Sequence, residues 1–108
     1  MSTPPRYEAA FTDPRNDHPV VHSLVNGELL LDVKIAPIID FLLSNGVKTL
    51  FSCQGDPFTK VLPPTYESVF LSRKYAGYIS CLDSENLFKA TARMRYEDIE
   101  ELSKLLGY

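Results

Sequence analysis

The run Ser52-Cys53-Gln54-Gly55-Asp56 carries the residue types and spacing that bear most directly on chemistry. Small polar side chains and a glycine after an apolar stretch suit a turn that faces a ligand. Glycine reaches φ > 0 and lets backbone approach a bound molecule closely. Successive N–H groups in such a turn form an anion-binding nest. In this reading Ser52, Cys53, Gln54 and Asp56 contact the ligand, and Gly55 gives access. Arg73 and Lys74 supply counter-charge, and Tyr78 offers a ring for stacking.

Cys53 is also a candidate catalytic nucleophile. A reactive thiolate needs a base, a cation or a helix N-terminus beside it. His22 is the imidazole expected to serve it, and Gln54-Gly55 would give oxyanion-type N–H donors. Cysteine is also among the most often buried residues, and no third, orienting residue is evident. Packing at a strand end is therefore the preferred reading.

Metal chemistry is considered on two sets. His18, His22, Cys53 and Cys81 are zinc-type ligands, but His-x-x-x-His joins on a helix, and Pro19-Val20-Val21 makes this segment extended. Its imidazoles would stand about 13 Å apart at about 3.3 Å per residue. Asp56, Asp83 and Glu85 are carboxylates for a divalent ion, but a turn role for Asp56 and a helix-cap role for Asp83 account for them. Neither a metal nor a cofactor is expected.

The 108 residues make one domain with one modest core. A net charge of −3 argues against a duplex nucleic-acid partner. No apolar run reaches the roughly 20 residues that span a bilayer, and the start lacks a signal-peptide pattern. No membrane partner is expected, and the cytoplasm is the expected location. Two cysteines in that setting should stay reduced.

The elements that must position the turn follow from pattern. Residues 1–19, with Pro4, Pro5, Pro14 and Pro19, read as an irregular N-terminal arm pinned by Tyr7 and Phe11, and 20–108 as the single folded domain. Asn26-Gly27 between two β-prone runs predicts a tight type I′ hairpin. Asp32 is expected to cap a helix running to about Asn45, with Ile35, Ile38, Ile39, Leu42 and Leu43 on one face and Gly46 as its stop. Val47–Ser52 reads as an interior strand, followed by a long loop from Gln54 to about Tyr66. Ser68–Ser72 and Gly77–Leu82 predict a hairpin whose tip is Arg73-Lys74-Tyr75-Ala76. Residues 87–95 fit either period, with helix preferred because Asp83 or Ser84 would cap it. Tyr96–Leu106 is an amphipathic helix ended by Gly107. Together these predict an α+β fold, a two-layer sandwich of a mostly antiparallel sheet with helices packed on one face.

The helix, the Gly46-x-x-Thr49 strand, Ser52-Cys53-Gln54-Gly55 and the later Gly77-Tyr78-Ile79-Ser80 resemble a set of small bacterial and phage proteins over the middle half of the chain. That resemblance implies no activity; if the chain is phage-encoded, its location is the host cytoplasm. The Ser-Cys-x-Gly turn alone is similar to one in the wybutosine-pathway methyltransferases. The functional expectation is a protein that binds an anionic small molecule, such as a nucleotide, at Ser52–Asp56. The alternatives are a protein-interaction module acting on a host protein and, third, a thiol enzyme using Cys53. An amphipathic C-terminal helix also makes a homodimer an expectation.

Overall fold

Proline and short polar side chains fold the N-terminal segment back on itself. The computed structural model describes residues 7–57, 65, 66, 74–83 and 88–106. Strand β1 (Ala9–Asp13) pairs antiparallel with β2 (His18–His22) across a turn in which Asp17 takes φ 57°, a left-handed conformation that aspartate tolerates. The Asp13 carbonyl accepts the Asp17 N–H at 2.8 Å, and the Asn16 side chain accepts the His18 N–H at 3.0 Å. Strand β3 (Leu30–Asp32) completes this sheet against β2.

Helix α1 (Ala36–Ser44) follows, with Pro37 in the first turn where its missing N–H is harmless. It ends at Gly46, whose φ of 79° permits the Gly46 and Val47 N–H groups to return to the carbonyls of Leu43 and Leu42. Strand β4 (Lys48–Cys53), β5 (Gly77–Asp83) and β6 (Phe88–Met94) form a second antiparallel sheet in that order. Helix α2 (Tyr96–Leu105) closes the chain, with Glu97 and Asp98 in its first turn and Lys104 in its last, complementing its dipole.

The fold is α+β, as expected, but its strands sort into two three-stranded sheets rather than one. Ile35, Ile38 and Ile39 of the α1 segment form the centre of the core with Val21, Leu31, Val33, Ile79 and Ile99. Buried Ser103 of α2 donates to the Lys34 carbonyl, tying the C-terminal helix to the start of α1. Among the described residues no helix is long and apolar enough to cross a membrane.

Several local expectations give way to tertiary contacts. Residues Ala9–Asp13 are a strand, not part of an irregular arm; Tyr7 is buried as the expected anchor, while Phe11 is half exposed. The β2–β3 hairpin exists, but Ser23–Leu29 is a longer loop and Gly27 has no positive φ. The buried Asp40 carboxylate on α1 explains this: it accepts the Ser23 hydroxyl and the Leu24 N–H, and Ser23 Oγ in turn accepts the Val25 and Asn26 N–H groups. Asp32 lies in β3 and does not cap α1, whose cap position is Ile35.

Residues Phe88–Met94 are a strand, because the open edge of β5 takes up their alternating pattern from Asp83↔Phe88 to Gly77↔Met94. Asp83 is consequently paired in β5 rather than capping a helix. Among the described residues β5 pairs with β4 and β6, and Lys74 and Tyr75 are helical rather than a hairpin tip. The strand expected at Ser68–Ser72, like Arg73 and Glu85, lies outside the described residues. Among the described residues β4 is an edge strand rather than the expected interior one, and Phe51 on it is 68% exposed.

Candidate functional site

The ends of β2, β3 and β4 meet where the two sheets adjoin, and they bring together residues far apart in sequence. His18 opens β2, Asp32 ends β3, and Cys53 ends β4 with Gln54, Gly55 and Asp56 following. His18 is 4% exposed and its ring lies between two carboxylates: Nδ1 is 3.1 Å from Asp32 Oδ2, and Nε2 is 2.7 Å from Asp56 Oδ1. Asp32 Oδ2 also accepts the Gln54 N–H at 3.2 Å. One ligand atom from each of His18, Asp32 and Cys53 lies within 4.8 Å of the others.

Burial disfavours the His18 imidazolium, but the Asp56 and Asp32 hydrogen bonds and charges outweigh it, and the pKa is raised above its ordinary 6.5. A protonated ring donates to both carboxylates, whereas a neutral ring turns a lone pair on one of them. At Cys53, burial pushes the thiol pKa up. The Gly55 N–H opposes this, donating to Sγ at 3.5 Å, but the Asp32 and Asp56 charges add to the rise. Cys53 is therefore a protonated thiol at neutral pH and a poor nucleophile by itself. His22, expected as its base, instead sets Nδ1 against the Gly27 carbonyl at 2.8 Å.

The turn is satisfied from within. Gln54 donates its N–H to Asp32, Gly55 to Cys53 Sγ and Asp56 to the Tyr75 carbonyl, so these three groups do not form an anion nest. The Gln54 side chain is buried and accepts the Lys34 N–H at 2.9 Å. Gly55 is required by protein backbone rather than by a ligand. A Cβ there would meet Gly77 N and Tyr75 O, each at 2.5 Å.

Of the expected site residues, Ser52, Cys53 and Tyr78 line one cavity of about 480 Å³. Its other walls are residues that sequence reasoning missed: Asp13, Arg15 and Asn16 from the β1–β2 turn, Asp32, and the apolar Phe11, Val20 and Leu30. Lys74 does not line it and stands over the Tyr75 ring at 5.9 Å; the Tyr78 ring carries the Arg93 guanidinium at 5.8 Å. Arg15 is held by two side-chain bonds to Asp13, at 3.2 and 3.0 Å. No spacing in the sequence announces this set, since each member comes from a different strand or turn.

The doubly bonded imidazolium gives a pH prediction with a defined sign. A proton bound more tightly in the folded chain stabilises it fully below the ordinary pKa of 6.5, and that contribution is lost as pH rises through the elevated folded value. In metal-free protein the urea midpoint should fall as pH rises from the ordinary histidine value of 6.5 into the mildly alkaline range, and His18→Gln should flatten that slope. Cys53 acts in the same direction only at more alkaline pH, its thiol pKa lying above 9.0. A wild-type midpoint that stays level across this window would mean that His18 is not held as the charged ring.

The chain matches no protein-family model, no curated protein and no solved structure.

Proposed function

We propose that this domain binds a small polar molecule in the cavity between the β1–β2 turn and the ends of β3, β4 and β5. The observation that carries this reading is the convergence of Ser52, Cys53 and Tyr78 with Asp13, Arg15, Asn16 and Asp32 on about 480 Å³ beside three apolar side chains. That mixture of an apolar wall and a few fixed polar groups is typical of ligand pockets. The lining favours a ligand rich in hydrogen-bond donors, such as a nucleoside, polyol or amine, over a bare phosphate. Asp13 and Asp32 are acceptors, and Arg15, the lone cation among the described lining residues, is already paired with Asp13. The raised Cys53 pKa supports binding over thiol catalysis.

A thermal-shift screen of metal-free protein against nucleosides, polyols, amines and the corresponding phosphates tests this. A ligand that raises the melting temperature of wild type, and loses most of that effect in Asn16→Ala and Tyr78→Ala, is the expected result. Shifts by phosphates alone would restore the anionic reading. No shift at all, with a molecular mass that rises with concentration, would favour the second reading, a protein-interaction module. One observation supports that alternative: β4 has an open edge among the described residues and displays the exposed Phe51 there. The C-terminal helix supports a homodimer less, because Ile99 and Ser103 are spent in this chain's own core.

A further inference from the structure

We propose that His18, Asp32 and Cys53 form a transition-metal site of the zinc type, with its open coordination position on the cavity. Imidazole nitrogen, carboxylate oxygen and thiolate sulfur are the three ligand types that zinc accepts, and three protein ligands with one open position is the arrangement of its reactive sites. His18 Nδ1 and Asp32 Oδ2 stand 3.1 Å apart, close to the separation of two ligands on one tetrahedral ion with bonds near 2 Å. The third atom, Cys53 Sγ, is within 4.8 Å, so closure asks for about 1 Å of side-chain movement.

Groups around the three ligands complete the argument. His18 Nε2 is bound to the Asp56 carboxylate at 2.7 Å, so Nε2 keeps its proton when an ion takes the place of the one on Nδ1. A carboxylate behind a ligating histidine is the common orienting device of zinc sites, and losing it typically weakens metal binding about 10–100-fold. The Gly55 N–H points at Cys53 Sγ from 3.5 Å, the partner a bound thiolate needs. Asp32 and Cys53 both line the cavity, which supplies an entry path and leaves one side of the ion open to a small ligand or water. Charge balances as well. Binding of Zn²⁺ displaces the proton between His18 and Asp32 and the thiol proton of Cys53, leaving a neutral Zn²⁺–Asp32⁻–Cys53⁻ core against the His18–Asp56 pair. The expectation from sequence that no zinc binds rested on the His18–His22 pair, and β2 does hold those two residues along one extended strand. The partners of His18 come instead from β3 and β4.

This inference does not rest on the ligand proposed above, because the three side chains meet whether or not the cavity is filled. Its test is titration of chelator-treated full-length protein with Co²⁺ as a spectroscopic stand-in for Zn²⁺. One Co²⁺ per chain should bind and give the near-ultraviolet charge-transfer band of a thiolate–cobalt bond. Cys53→Ser should abolish that band and Cys81→Ser should keep it. Asp56→Asn should retain the band but weaken binding about 10–100-fold. A second measurement needs no variant: Zn²⁺ should protect Cys53 of wild type from alkylation, read by peptide mass, while the rate at Cys81 is unchanged. Absence of the band, a band that survives Cys53→Ser, or no selective protection of Cys53 would overturn the proposal.

Discussion

Asp40→Ala should lower stability by about 3–5 kcal/mol, the loss expected when three donors lose their shared buried acceptor at about 1–3 kcal/mol each. The carboxylate is 7% exposed and accepts three donors: the Tyr7 hydroxyl at 2.8 Å, the Ser23 hydroxyl and the Leu24 N–H at 3.0 Å. Alanine deprives all three at once. It also releases the N-terminal segment from α1 and unties the Ser23–Leu29 loop, whose own N–H groups rely on Ser23 Oγ. For a domain of this size the melting temperature should fall by at least about 12 °C, at roughly 4–8 °C per kcal/mol. Tyr7→Phe removes one of the three bonds and should cost only about 1 kcal/mol. Urea denaturation of both variants checks the argument. A loss for Asp40→Ala no larger than for Tyr7→Phe would mean that the carboxylate does not organise this region.

The second large effect belongs to Gly55, and the chain contains its own control. Gly55 and Gly46 have nearly the same conformation, with φ of 76° and 79°. An added Cβ at Gly46 meets nothing within 4 Å, whereas at Gly55 it lands 2.5 Å from Gly77 N and Tyr75 O, both backbone atoms. Gly46→Ala should therefore cost only the left-handed conformation, about 1–2 kcal/mol. Gly55→Ala adds an overlap that rotamer changes cannot relieve, because β5 begins at Gly77 and its start must move away. The difference between the two variants should be about 2 kcal/mol or more, within the range that backbone strain and overpacking reach. Equal stability losses would show that 54–56 and 75–77 are not held at this distance.

These two sites also mark where reading from the sequence stops. The stop of α1 at Gly46 and the apolar face of α1 follow from residue types within one or two turns, as does the amphipathic helix after Arg95. Local chemistry dominates there, and those elements were legible. Asn26-Gly27 carries a strong local turn signal, yet a carboxylate from the following helix binds the loop and prevails. Residues 88–94 satisfy both periods, and the tie is broken by the free edge of β5, which no local pattern reveals. Asp32 reads as a cap because aspartate before an apolar run is a common helix start, but the β2 pairing draws it into a strand.

For the site, the sequence by itself indicated a strand running into the Ser52-Cys53-Gln54-Gly55-Asp56 turn and a left-handed glycine at 55. Only the tertiary structure decided what that turn faces. Asp32 is 14 residues from His18, and Asp56 is 38 residues from it. Their meeting depends on how two separate sheets adjoin through the core around α1. A histidine alone in an extended strand has no local feature to predict two carboxylates across that junction. The His18 ring is buried there, so its two nitrogens find their hydrogen bonds in Asp32 and Asp56 rather than in water.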